Sequence, residues 1–291
     1  MKSLRQFLAW LYLSLPDKVY IRILVYRALK RLPNIKNPQR FSDKIQWLKL
    51  HGRLERFAPY ADKYTVRKFV ESTIGAKHLI PLIGVWDNFD DIPFNALPER
   101  FVLKVTHGCG YNYICKDKSQ VDRDKLKALI DGWLREDFYK LERESQYSVG
   151  QPRVICERYL EDESGQLRDY KFYCVKGQPT IVQLDTDRFT EHKSLLVGLD
   201  WQPVTFVQAG TFGLADNSTF KKPKQLPKML ELARKLSRDF PFVRVDLYEV
   251  GNRVYFGELT FTPGSGLVDL QPVSGDIELG KMIDLSAYSL S

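Results

Sequence analysis

Two β-rich runs near the C-terminus constrain this chain more than any other feature. Along Phe242–Tyr248, the residues Val243, Val245 and Leu247 alternate with Arg244, Asp246 and Tyr248. A period of two is that of a strand with distinct faces, so Arg244 and Asp246 share one side. The turn-forming stretch Glu249-Val-Gly-Asn-Arg253 leads into a second run, Tyr255–Phe261, and predicts a hairpin. Regular pairing of that hairpin is expected to bring Glu258 beside Asp246. Two carboxylates held together need a cation between them. Hard oxygen donors of this kind suit Mg²⁺, which is usually held by one or two carboxylates plus substrate phosphates. The turn Pro263-Gly264-Ser265-Gly266 follows at once and offers backbone N–H groups to an anion.

Upstream, Leu4–Leu32 reads as two short amphipathic helices interrupted at Leu15-Pro16-Asp17. The apolar stretch Phe7–Leu15 is too short to span a bilayer, and no small-residue cleavage site follows it. A basic helix carrying Trp10 and Tyr12 suits a membrane surface, and packing on the main domain explains it equally well. After Asn34–Pro38 come helical patterns through Trp47 and from Lys63 to Val70, then a strand pattern at Leu79–Val85. Further strands are predicted at Phe101–Val105, Val154–Arg158, Asp169–Val175 and Pro179–Leu184. One continuous helix is predicted over Arg123–Glu142 and another over Lys224–Asp239. Strands alternating with helices and ending in a hairpin make the fold class α+β or mixed α/β.

With 291 residues, 44% of them hydrophobic, the chain can build a large core in one composite domain or two closely joined ones. Cys109, Cys115, Cys156 and Cys174 show no CxxC spacing, so they read as reduced, mostly buried thiols. Asn217-Ser-Thr219 matches a glycosylation sequon, and nothing else in the sequence points to secretion. The net charge of +8 favours polyanionic partners. No zinc-finger spacing, RRM signature or basic heptad accompanies it, so no nucleic-acid partner is expected. Acidic polysaccharide, nucleotide and anionic lipid all remain open on charge alone.

Lys104 stands in the middle of a strand, and a buried ammonium needs an anion. The loop His107-Gly108-Cys109-Gly110-Tyr111-Asn112 follows it and can bring backbone N–H groups to phosphates. No GxxxxGK[ST] or GxGxxG is present, so this is not a P-loop or Rossmann protein by motif. Asp62-Lys63-Tyr64-Thr-Val-Arg67 opens a helical run that can present a cation or a solvated face. Glu157 and Tyr159 end one strand, and Asp169 and Lys171 begin the next. An apolar slot edged by carboxylates suits a base and ribose, and ordinary sheet-edge composition fits as well. Arg188 is equally ambiguous. His51, His78, His107 and His192 show no metal-ligand spacing.

The order of these pieces resembles the ATP-grasp ligases, and in particular the TupA-like ATP-grasp proteins of cell-surface polysaccharide clusters. The similarity runs from about Asn37 to Gly266 through four long phrases: Asn37–Trp47, Leu79–Trp86, Phe101–Gly110 and Phe256–Gly266. The resemblance implies an α+β ATP-grasp fold, two α/β subdomains gripping ATP, with a helical N-terminal extension. Residues 1–60 would form the basic helical region and residues 61–291 the ATP-grasp module. Within that module the nucleotide flap would lie at about 101–160 and the metal-binding core at about 161–291.

Residue by residue, the resemblance makes Lys63 and Lys104 the phosphate lysines and the loop Gly108–Asn112 the flap, with His107, Gly108 and Gly110 at the nucleotide. Glu157 and Tyr159 would sit at the adenine hinge and Asp169 at the ribose, with Lys171 beside it. Asp246 and Glu258 match the magnesium carboxylates, and Arg244 the arginine that steadies an acyl phosphate. ATP-grasp enzymes usually carry Asn two residues after the second carboxylate. This chain has Thr260 there, whose hydroxyl can still ligate magnesium or hold a water. Arg188, His192, Lys193 and Ser265 are candidate anion contacts for the acceptor.

The implied cofactors are ATP and Mg²⁺, and the implied reaction is amide formation between an amino acid and a uronic acid of a surface polysaccharide. The expected location is the cytoplasm, and a peripheral place at the inner face of the membrane stays open to the N-terminal helices beside packing on the main domain. Three rivals remain: a glycosyltransferase using Asp185-Thr-Asp187, a sugar or protein kinase, and a non-catalytic nucleotide-binding partner in an assembly complex.

Overall fold

The computed structural model describes residues 10–163, 165, 167–186, 193–208 and 221–289. Two antiparallel sheets organise the molecule. The smaller holds β1 (Leu82–Trp86), β2 (Phe101–Val105), β3 (Asn112–Cys115) and β4 (Val154–Arg158) in the order β1-β4-β2-β3. The larger holds β5 (Asp169–Val175), β6 (Gln178–Thr186), β7 (Lys193–Gly198), β9 (Phe242–Val250) and β10 (Arg253–Thr260) in the order β10-β9-β5-β6-β7. Two short strands, β8 (Val207–Gln208) and β11 (Leu270–Gln271), pair with each other.

Each sheet has its own core. The smaller is drawn wholly from residues 89–156 and includes Phe101, Leu103, Val105, Val154 and Cys156, all essentially inaccessible. Helix α4 (Arg123–Arg135) closes it with Leu126 and Ile130, four residues apart and therefore on one helix face. The larger core joins both ends of the chain. Helix α2 (Phe41–His51), in the region expected as an N-terminal extension, contributes Phe41, Ile45 and Leu48. Helix α3 (Val66–Ile74) adds Val66 and Val70, and helix α6 (Leu226–Ser237) packs Leu226, Met229, Ala233 and Leu236 onto β5, β6 and β9.

The structure corrects the continuous helix predicted over Arg123–Glu142. It ends at Arg135, and a separate short helix, α5, spans Phe138–Glu142. The physical cause is Asp137, whose carboxylate accepts a hydrogen bond from the Lys140 N–H at 3.2 Å and caps a new helix start. Helix α1 (Asp17–Leu29) lies against this segment, with the Tyr20 hydroxyl donating to the Leu141 carbonyl at 2.8 Å. Among the described residues, no helix is long and apolar enough to cross a membrane. Of the four cysteines, Cys109 is exposed and the other three are buried, all as free thiols.

Candidate active site

The floor of the site is one face of the larger sheet. Regular pairing from the β9–β10 turn would set Glu258 opposite Val245, on the core side. Instead the register shifts between Phe256 and Glu258: Phe256 faces Leu247, and Glu258 faces Asp246. Gly257 is the extra residue of a β-bulge, and the bulge re-aims Glu258 onto the face of Asp246. The two carboxylates therefore meet, as expected, by an irregularity and not by regular pairing.

The same face continues across the sheet. Lys171 on β5 pairs in register with Asp246, and Thr260 with Arg244. Arg244 donates from Nε to Asp246 Oδ1 at 2.8 Å and from Nη2 to Asp246 Oδ2 at 2.7 Å, and it also reaches Glu258 Oε1 at 3.2 Å and Thr260 Oγ1 at 3.1 Å. The Thr260 hydroxyl donates to Glu258 Oε1 at 3.0 Å. The Lys171 ammonium is buried between Asp169, at 3.2 Å, and Asp185, closer still.

These charges tune one another. Burial works to raise the Glu258 carboxyl pKa, but Arg244, Lys63 and Lys171 overcome it and hold the group down at about 2. Asp246 goes the other way: burial, with Asp169 and Glu258 nearby, outweighs Arg244 and pushes it up to about 7. Burial pushes the Lys63 ammonium down, against the pull of Glu258.

Above this floor, a cavity of about 290 Å³ opens between the two sheets. Lys63, Arg67, Lys104, Lys116 and Arg158 line it against the carboxylates Glu157, Asp169 and Glu258, with Ile80, Val102, Ile155, Leu160, Leu167 and Phe256 as apolar walls. A slot with an excess of cations and apolar sides fits a nucleotide polyphosphate. Lys63 comes from the turn before α3, and its Nζ donates to the Gly108 carbonyl at 2.6 Å, tying it to the glycine loop. Gly110 lies in the lining, and Gly108 lies beside it in the loop. Glu157 holds two cations at once, Lys104 at 2.7 Å and Arg67 at 2.8 Å. Tyr159 edges the cavity, with the Arg100 guanidinium 4.1 Å from its ring centre.

Other expected site residues lie elsewhere. His107 turns away from the cavity and donates from Nε2 to the Glu136 carbonyl at 2.9 Å; burial and nearby Lys63 lower its pKa. Ser265 belongs to a separate buried cluster, accepting from Lys49 Nζ at 2.5 Å and donating to Glu142 at 2.7 Å. Arg188, His192, Asp187 and Asn217–Thr219 lie outside the described residues, as does the side chain of Lys193. Sequence reading missed Lys49, and it did not connect Arg67 with Glu157.

Magnesium fits the donor set only in company. Among the described residues, no group of three or more His, Cys, Asp and Glu side chains is placed to hold a metal. Both Asp246 oxygens already accept from Arg244, each keeping a further lone pair, and Glu258 is the more open carboxylate. Phosphate oxygens would have to complete the coordination, as is usual for Mg²⁺.

The sequence model of the family described as TupA-like ATPgrasp matches residues 43–284. The chain belongs to that family. Membership makes this TupA-like chain an enzyme of the ATP-grasp ligase superfamily. No curated protein matches its sequence. Among solved structures it is similar to the D-alanine–D-alanine ligase of Helicobacter pylori, at 14% identity over 84% of this chain and 69% of that one, with a TM-score of 0.42. It is similar to the Bacillus anthracis D-alanine–D-alanine ligase complexed with ATP, at 13% identity over 83% and 75%, TM-score 0.40. A third is a RimK domain ATP-grasp protein of Sphaerobacter thermophilus, at 12% identity over 82% and 70%, TM-score 0.44.

Proposed function

We propose that this enzyme is an ATP-dependent carboxylate–amine ligase that joins an amino acid to a uronic acid of a cell-surface polysaccharide through an acyl phosphate. The observation that carries the reading is the cluster of Arg244, Asp246, Glu258 and Thr260 on one sheet face, whose Glu258 lines a cation-rich cavity. In the first step a carboxylate oxygen attacks the γ-phosphorus of ATP and ADP leaves. In the second an amine attacks the acyl carbon, phosphate leaves and the nitrogen loses its proton.

Lys63 and Lys104 reach the cavity to neutralise phosphate charge, and Arg67 stands beside Lys104 on the shared Glu157. Glu157, Tyr159 and Asp169 line the same cavity as the apolar walls, a combination that suits base and ribose. Mg²⁺, held by Glu258, Asp246 and the Thr260 hydroxyl together with phosphate oxygens, would supply Lewis-acid stabilisation of the transferring phosphoryl group. Arg244, fixed by its two bonds to Asp246, presents positive charge where negative charge develops, in a site where fixed cations act more strongly than in water. The polysaccharide substrate follows the resemblance of the long sequence phrases, and the +8 net charge suits an acidic acceptor.

The test is magnesium-dependent ADP release with uronic acids and a panel of amino acids, comparing the wild type with Glu258→Gln and following the acceptor by mass spectrometry. A product heavier by one amino acid less water, absent with the variant, is the expected result. A product gaining a hexose or a phosphate, or no turnover with any pair, overturns the ligase reading.

A further inference from the structure

Residues 10–32 hold five of the nine exposed large hydrophobic side chains found among the described residues: Trp10, Leu11, Val19, Tyr26 and Leu32, each between 43% and 64% accessible. That concentration makes them a patch instead of the scattered apolar exposure normal for a protein surface. On α1 the outward positions include Val19, Arg22 and Tyr26, three or four residues apart and thus on one side, and exposed Lys30 caps the helix end. The opposite side buries Tyr20, Ile21 and Val25.

Charge is concentrated in the same segment. Residues 1–32 contain seven basic side chains and one acidic one, a net +6 of the chain's +8. The lone acid is already paired: Asp17 takes the Arg143 guanidinium at 3.0 Å and the Tyr139 hydroxyl at 2.7 Å. Arg31 is likewise drawn inward, to Asp43 at 2.7 Å. Lys18 and Arg22 form no ion pair among the described residues and remain exposed. Outward, then, the described part of the segment shows apolar and aromatic side chains beside an excess of cations.

From this we propose that α1 and the turn of helix before it form a fixed docking surface for an anionic lipid bilayer. Trp and Tyr rings partition to the headgroup level, and Lys and Arg are attracted by anionic headgroups there. A protein partner is the less favoured occupant, since protein interfaces are depleted in lysine, and here Lys18 and Lys30 flank the exposed rings. The surface does not need to fold on contact. It is already anchored through Tyr20 to Leu141, and through Arg143 to the carbonyls of Leu13 and Leu15, at 2.5 and 3.2 Å. The same short helix, α5, carries Glu142, which bonds Ser265 in the loop just beyond the site carboxylates. Docking would thus hold one flank of the active site at the bilayer.

The experiment is vesicle flotation of the full chain with phosphatidylcholine alone and with phosphatidylcholine containing phosphatidylglycerol, at low and high salt. Binding only to the anionic vesicles, weakened by salt, is expected. Arg22→Gln with Lys30→Gln should lower partitioning by about twenty-five-fold, at roughly fivefold per cation removed. Trp10→Ser with Tyr26→Ser should also lower it, in both cases at an unchanged melting temperature. Equal binding to neutral vesicles, or variants that float like the wild type, overturns the proposal. So does absence of vesicle binding with concentration-dependent self-association that Tyr26→Ser removes, which would make the patch an interface between copies.

Discussion

A β-carbon on Gly257 would lie 3.0 Å from the carbonyl oxygen of Asp246 and 3.0 Å from the Tyr248 ring. The bulge that aims Glu258 at Asp246 therefore takes a side chain at its extra residue only if its neighbours give by a few tenths of an ångström. Gly257→Ala should cost about 1–3 kcal/mol through overpacking. Because the strain falls on the residue before Glu258, it should also reduce magnesium-dependent ADP release. Melting temperature and turnover measured together check this. A variant with wild-type turnover would mean that the bulge is not needed to place Glu258.

Glu157 is shared by Arg67 and Lys104, and its side chain is 8% accessible. Glu157→Gln strands two half-buried cations and should destabilise the empty protein by about 3 kcal/mol. Phosphate oxygens can replace the lost partner. The rise in melting temperature on adding ATP should thus be larger for the variant than for the wild type. An equal or smaller rise would show that these cations do not meet phosphate.

The Lys171–Asp185 pair supplies a pH signature. Lys171 and hydrogen bonds from Gln183 and Ser194 overcome burial and hold the Asp185 carboxyl well below its ordinary 3.8. A depressed carboxylate stabilises the fold above its unfolded pKa, and that contribution fades as the pH falls below 3.8. Asp185→Asn should cost about 3–5 kcal/mol at pH 7, with the gap to the wild type narrowing below pH 3.8. Denaturant melts across that range check the sign; a gap that is independent of pH would place the stabilisation elsewhere.

Lysine cannot reproduce the forked contact that Arg244 makes with Asp246 while also reaching Glu258 and Thr260. Arg244→Lys keeps the charge but loses its aim, and turnover should drop by about 10²–10³-fold. Steady-state ADP release checks this, and a loss below tenfold would remove Arg244 from the reaction centre.

Much of this was legible in the sequence where the signal was local. Phe101–Val105, Val154–Arg158 and Asp169–Val175 start and stop where their apolar, β-branched and aromatic residues do. Arg244 and Asp246 share a face because alternation along one strand requires it. The bulge was announced only by a glycine inside a strand pattern, a signal that does not say which way the register shifts. The break before α5 was readable in Asp137, a capping residue set inside a helical period. Lys49 with Ser265, and Arg67 with Glu157, were not readable, because each pair is brought together from distant parts of the chain by tertiary packing.

The two cores have different histories during synthesis. The smaller is drawn from residues 89–156 and can close soon after that stretch leaves the ribosome. The larger cannot, because Phe41 of α2 packs on Phe242, at 5.8 Å between ring centres, and about two hundred residues must be made in between. Until β9 arrives, Phe41 has only Tyr173 of β5 from that sheet as an aromatic neighbour, and the strands bearing Asp246 and Glu258 follow α2 by about two hundred residues. A nascent chain therefore completes the floor of the site only once β9 and β10 have been made, and α2 is a stretch that a chaperone would have to shield until then.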